Sequence, residues 1–204
     1  MAHTVIAIDG GDAVGKSSLA DSVVEFCRER QVSCRVVRRD RAAVSAITDV
    51  IETYDGELVA DAEISLRLAR DFCRAQLARQ APEEVVVLDR FVLSTASVIL
   101  AAGIPLEDYR STLIRAVQHC ELEATILVSS PFELAWQRLI ARTACGVPLS
   151  AKERRGKDYN RALTVFIDEL LADEQLAKRQ FRVMNDLDIG TAQYQLRQIL
   201  SVVL

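Results

Sequence analysis

The chain has 204 residues, 50% of them hydrophobic and 26% charged, with a formal net charge of −4. That length and balance imply one compact domain with a sizeable core, and the negative charge argues against a broad basic surface for polymeric nucleic acid. No apolar run approaches membrane-spanning length and no signal peptide is evident, so a cytoplasmic chain without a membrane partner is expected.

Short apolar runs alternate with segments of helical period. Val5–Ile8 is the first strand candidate, and the segment after it places Leu19, Ala20, Val23, Val24 and Cys27 on one helical face. Cys34–Val37 is the second strand. Ile64, Leu68 and Leu77 then carry a stripe through a helix of about twenty residues before the third strand, Val85–Leu88. Thr125–Val128 is the fourth. Ser130-Pro131-Phe132-Glu133 predicts a helix start, with Ser130 as N-cap, Pro131 at N1 and Glu133 at N3. Arg182–Met184 is the last strand, and Asp188 or Thr191 can cap a final helix carrying Leu196, Ile199, Leu200 and Val203.

Such alternation predicts an α/β domain with a parallel sheet and helices on both faces. Ligands of these sheets bind beyond the carboxyl ends of the strands. That rule points to Asp9–Ser18, Arg38–Arg41, Asp89–Arg90 and Ser129–Ser130. The five cysteines (Cys27, Cys34, Cys73, Cys120, Cys145) contain no C-x-x-C pair and read as reduced, mostly buried thiols. His3 and His119 are too few and too far apart for a metal site or a Ser-His triad.

Gly10, four residues, then Gly15-Lys16-Ser17 fits G-x-x-x-x-G-K-[ST], directly after the first strand. Glycines let successive N–H groups converge on phosphate oxygens, and the helix N-terminus adds favourable dipole. Lys16 can reach the β- and γ-phosphates, and the Ser17 hydroxyl suits Mg²⁺. A nucleoside triphosphate is therefore expected here. The guanine-selecting N-K-x-D and a strand-end D-x-x-G are both missing, which excludes the common GTPase pattern. At the third strand end, Asp89-Arg90 sets a carboxylate, able to hold Mg²⁺ or accept a proton, beside a guanidinium able to neutralise phosphate.

With these residues the chain resembles the thymidylate kinase family of nucleoside monophosphate kinases. Asp9-Gly10-Gly11-Asp12-Ala13-Val14-Gly15-Lys16-Ser17-Ser18 is similar to the family's E-G-x-D-G-x-G-K-S-T, and Asp89-Arg90-Phe91 to its D-R-[YF]. The segment Pro131 to Leu139, with Arg142, resembles its strand-Asp-x-Pro-helix unit leading into a lid, here about Thr143–Lys157. The resemblance implies a three-layer P-loop kinase fold with a five-stranded parallel sheet and a short lid. It implies transfer of the γ-phosphoryl of ATP, with Mg²⁺ on Ser17 and Asp89, to an acceptor phosphate. Gly10, Asp12, Ala13, Val14, Gly15, Lys16, Ser17, Ser18 and Arg142 would meet ATP. Asp12 would meet the acceptor sugar, and Arg39 and Arg90 the acceptor phosphate. Because Ala13 stands where one subgroup carries an arginine, catalytic charge should come from the lid, where Lys152, Arg154 and Arg155 lie. A homodimer is implied by the family alone.

The acceptor side departs from the pattern. Arg41-Ala42 replaces the Pro-Gly of T-R-E-P-G, and Arg67-Leu68-Ala69-Arg70-Asp71-Phe72 replaces L-F-x-A-D-R. Leu68 then stands for the base-stacking Phe and Phe72 for the base-contacting Arg, with Arg70, Arg74 or Phe72 able to compensate from one turn away. The acceptor is thus open between dTMP and another nucleotide. Two further readings stand beside a nucleoside monophosphate kinase. One is a deoxynucleoside kinase with a hydroxyl acceptor; the other is a nucleotide-sensing module with little turnover.

Overall fold

The computed structural model describes residues 3–38, 42–54, 56–186 and 188–204. In chain order these form β1 (Thr4–Asp9), α1 (Lys16–Glu29), β2 (Cys34–Val37), α2 (Ala42–Thr53), α3 (Ala60–Arg79), β3 (Val85–Asp89), α4 (Val92–Ala101) and α5 (Glu107–His119). They continue with β4 (Leu122–Ser129), α6 (Phe132–Ala144), α7 (Ala151–Arg154), α8 (Lys157–Leu170), β5 (Gln180–Met184) and α9 (Ile189–Val203). The five strands make one sheet in the order β2-β3-β1-β4-β5, and every pairing is parallel.

Strands covered on both faces read as continuous apolar runs, and their side chains sort by parity. From β1, Val5 and Ala7 enter one core with Val86, Leu88, Ile64, Leu93, Leu113 and Ile167; Ile6 and Ile8 enter the other with Val85, Val87, Leu19, Val23, Leu196 and Leu200. Thus α3, α4, α5 and α8 cover one face, and α1 and α9 the other. The β1–β4 register shifts between Val5 and Ile6. That bulge turns Leu122 onto the first face although Ala124, Ile126 and Val128 point to the second.

The chain leaves central β1 toward β2 and β3 on one side and reaches β4 and β5 on the other. The crevice at this switch point lies beyond Asp9, Asp89 and Ser129.

Two helix starts show how local chemistry is resolved. Asp188 caps α9 by accepting the Thr191 N–H at 2.8 Å. The start expected at Ser130 is corrected by one residue. Pro131 itself is the N-cap of α6, without a side-chain bond, because its extended ψ of 129° puts the first helical residue at Phe132. Ser130 Oγ instead accepts from Arg138, at 3.4 Å, and Glu133 pairs with Lys157 and Arg161, each at 2.6 Å. The cysteines are all free, but only Cys27 and Cys120 are buried; Cys145 is exposed beside the α6 C-terminus.

Leu196 is fully buried between α9 and the sheet, whereas Val202 is 67% exposed. Leu196→Ala should lower the unfolding free energy by about 2–5 kcal/mol. Val202→Ala should change it by less than about 0.5 kcal/mol. Urea titration with an unchanged m-value checks both.

Candidate active site

The loop after β1 is shaped by contacts that leave no room for side chains. Gly10 has φ 146°, and a Cβ there would come within 2.2 Å of the Val128 carbonyl oxygen. Gly15, at φ 96°, serves as N-cap of α1 without any side-chain bond, and the first turn of α1 holds no acidic residue. The N-terminal N–H groups of that helix are therefore offered to an anion from outside the chain. Lys16 is buried and donates to the Gly11 carbonyl. Ala13 holds φ 57°, strained for a residue with a Cβ.

Asp9, fully buried at the end of β1, accepts from the Phe91 N–H at 3.0 Å and from the Ser94 hydroxyl. Burial pushes its carboxyl up, although Ser94, Arg90 and Phe91 pull against that. The Arg90 N–H donates to Ile8 O at 2.9 Å, and Arg90 takes a left-handed φ of 71°. The turn after β3 is thus stitched to the end of β1, which brings Asp89 under the phosphate loop. The Ser17 hydroxyl donates to Asp89 Oδ2 at 2.9 Å. One hydroxyl and one carboxylate oxygen so placed fit a cation that takes its other ligands from phosphate and water, as Mg²⁺ does.

Arg90 donates to Asp12 Oδ1 and, at 3.4 Å, to Gly10 O; Lys152 reaches Asp12 Oδ2 at 2.7 Å. Burial opposes ionisation of Asp12, but Arg90, Lys152 and Lys16 more than offset it and hold the carboxyl well below the usual range. Both Asp12 oxygens, expected to meet a sugar, are therefore engaged by cations.

The segment expected to form a lid lies between α6, which continues to Ala144, and α8, which starts at Lys157, and it includes α7. Its anchors lie in three elements. The Ala151 N–H donates to Glu52 Oε2 of α2 at 2.5 Å, Lys152 holds Asp12, and Arg155 holds Glu63 of α3 at 2.7 Å. Arg154 lines the cleft and donates to Leu149 O at 2.9 Å. Arg155 does not line it; its guanidinium lies near Tyr159 and Glu63. Of the lid cations, Lys152 is the one that reaches the phosphate loop. Arg142 lines the cleft while paired with Glu153 at 2.8 Å.

The cleft encloses about 790 Å³. Among the described residues nine cationic side chains line it against four carboxylates, an excess of positive charge in a chain that is negative overall. Ala13, Gly15, Lys16, Ser17, Ser18, Asp89 and Arg90 all contribute to the wall. Val14 stands behind it, its carbonyl accepting from Asn185 Nδ2 at 2.8 Å.

The acceptor side differs from expectation. Leu68 is buried in the core, and Phe72 packs against that core and near His119. Neither lines the cleft, because residues 64, 68, 72 and 75 form the core stripe of α3. The neighbouring stripe, Arg67, Arg70 and Arg74, faces the cleft instead. Arg39 lies outside the described residues. Two contributors escaped the sequence reading. Arg138 donates to the Asn185 carbonyl at 3.1 Å, and Asn185 braces the phosphate loop through Val14. The available signal was that Asn185 follows the end of β5, where ligand-binding residues of such sheets gather.

No family model matches the chain, and no curated protein matches it in sequence. Solved structures do. One, a deoxyadenosine kinase from M. mycoides with product dCMP and a flexible dCDP bound, aligns with a TM-score of 0.71 and 16% identity, covering 98% of this chain and 100% of that one. The fold is that of a P-loop kinase. Among the described residues no helix is long and apolar enough to cross a membrane.

Burial, helped by Arg90, lowers the Lys16 ammonium to about 7; the same pair of causes lowers Lys152 to about 8. At pH 8 Lys16 is therefore largely neutral, and an arriving polyanion raises its proton affinity. Binding of inorganic triphosphate at pH 8 should take up protons, and its affinity should fall as pH rises above about 7. Calorimetry in buffers of different ionisation enthalpy measures this uptake; Lys16→Met should reduce it.

Proposed function

We propose that the protein transfers the γ-phosphoryl group of ATP to the phosphate of a nucleoside monophosphate. The observation that carries this is the Ser17–Asp89 contact at 2.9 Å beneath the phosphate loop, with Arg90 alongside in a cleft dominated by cations. The loop and Lys16 hold the β- and γ-phosphates, and Arg90 orients the acceptor phosphate. An oxygen of that phosphate attacks the γ-phosphorus while the bond to the β-phosphate oxygen breaks, giving ADP and a diphosphate. This nucleophile is already anionic near neutral pH, so no base has to remove a proton. Lys152 and Arg154, with Arg142 at the lid hinge, supply charge on the leaving side. Mg²⁺, when bound through Ser17 and Asp89, would neutralise charge between the β- and γ-phosphates.

The deoxyadenosine kinase likeness favours a second reading, phosphorylation of a deoxynucleoside hydroxyl. There Asp89 would accept the hydroxyl proton, in competition with its contact to Ser17.

A panel of nucleosides and nucleoside monophosphates with Mg-ATP, read by ADP release and product identity, separates the two. A diphosphate from any monophosphate supports the first reading. Phosphorylation of unphosphorylated nucleosides alone establishes the second. Lys16→Ala should abolish turnover under either. Arg90→Ala should raise the acceptor KM at least about tenfold more than the ATP KM; the reverse pattern would refute its role.

A further inference from the structure

Along α3, Arg67, Arg70 and Arg74 present three guanidinium groups to the cleft, spread over about 10 Å of helix. All three are more than nine-tenths buried. They differ in how their charge is met. Arg67 holds Glu63 Oε1 at 2.6 Å, and Arg74 holds Asp71 Oδ1 at 3.3 Å. Asp71 is itself fixed by the Thr95 hydroxyl at 2.5 Å. Among the described residues Arg70 has no hydrogen bond or ion pair, and its buried Nε is unpartnered. A buried guanidinium without a hydrogen-bonded counter-ion is costly, and burial with Arg74 beside it lowers Arg70 to about 9, although the nearby Asp71 carboxylate pulls against that. The folded chain retains that charge at a wall of its ligand cleft.

The same cleft lacks what a nucleobase platform uses. Among the described residues no aromatic side chain lines it, and Leu68 and Phe72 are turned into the core. Of the α2 residues that line the cleft, Thr48 and Ile51 are uncharged, and the carboxylate of Glu52 accepts the Ala151 N–H.

We propose that the acceptor carries a second anionic group, a phosphate or a carboxylate, and that Arg70, flanked by Arg67 and Arg74, binds it. Arg90 then orients the phosphate that receives the γ-phosphoryl group, while Arg70 selects the other end of the molecule. The proposal rests on the phosphate-acceptor reading above, and it narrows the substrate class from nucleoside monophosphates in general to bis-anionic phosphorylated compounds. Arg70 is a specificity-determining residue in this scheme, with no part in moving the phosphoryl group.

The test is binding to the full chain saturated with a non-hydrolysable ATP analogue and Mg²⁺, followed by calorimetry. Two matched sets vary the second anion. A nucleoside 5′-monophosphate is compared with the corresponding 3′,5′-bisphosphate. Ribose 5-phosphate is compared with ribose 1,5-bisphosphate and with ribonate 5-phosphate, which put a phosphate or a carboxylate where a base would be attached. In at least one set the bis-anionic member should bind about tenfold or more tightly than its monoanionic-group counterpart, and Arg70→Gln should close that gap. The ribonate arm tells a carboxylate from a phosphate. Equal affinity within both sets, or a gap that survives Arg70→Gln, overturns the proposal; the wild-type comparison stands even if the variant does not fold. Turnover of the same compounds is followed separately. A binding gap without transfer to any of them would retain the anion subsite and remove the kinase reading, whereas transfer to monophosphates with no gap would do the opposite.

Discussion

The carboxylate of Asp9 is the constraint on which the site depends. It sits at the end of the central strand, fully buried, and takes the Phe91 N–H and the Ser94 hydroxyl from the segment that follows β3. Two parallel strands would otherwise end in independent loops. This one side chain, with the Ile8 carbonyl accepting from Arg90, fixes the turn that carries Asp89 and Arg90 against the loop that carries Lys16 and Ser17. Arg90 takes a left-handed backbone conformation, and Ala13 in the phosphate loop does the same. Backbone strain of about 1–3 kcal/mol per residue persists where neighbouring contacts over-determine it. For Arg90 those contacts are its own N–H to the Ile8 carbonyl and the Phe91 N–H to Asp9, and both strained residues line the cleft.

Charge is distributed on a similar principle. A chain with net charge −4 gathers nine cations around one cleft and meets most of them with local carboxylates. Buried ion pairs contribute little net stability against apolar replacements, but losing one partner costs about 3–5 kcal/mol. Arg67–Glu63 and Arg74–Asp71 are pairs of this kind within α3. They hold guanidinium groups in fixed directions without free rotamers, which suits recognition of an anion more than it suits packing.

The strands were legible because a parallel sheet buried on both faces leaves an unambiguous apolar run; all five expected runs form strands, with ends differing by at most three residues. The shape of the loop after β1 was legible because its glycines and Lys16 serve local geometry. The acceptor wall was harder to read. A shift of one residue around a helix moves a side chain by about 100°, so aligning Leu68 with an aromatic platform could not show that its stripe belongs to the core. The apolar period of Ile64 and Leu68 already carried that information, and Arg67, Arg70 and Arg74 follow from it as the adjacent stripe. Residues such as Asn185 and Arg138 act through contacts between elements more than forty residues apart, for which a single sequence has no local signal.

The salt bridges of residues 145–156 are of a kind that would suit the proposed phosphoryl transfer. Asp12 binds both Lys152 of the lid and Arg90 of the β3 turn, so one carboxylate sets the positions of two cations from distant segments. A bound phosphate, under the proposed function, would bring more negative charge than the single carboxylate of Asp12, into a place where Lys152 and Arg90 are already largely buried. The desolvation of these cations is then part of folding, and little reorganisation remains for the reaction itself. Glu52 and Glu63 meanwhile keep the rest of the lid seated on α2 and α3. Under the proposed function, exchange of Asp12 for phosphate at the centre of the cleft would leave the contacts of Ala151 to Glu52 and Arg155 to Glu63 in place.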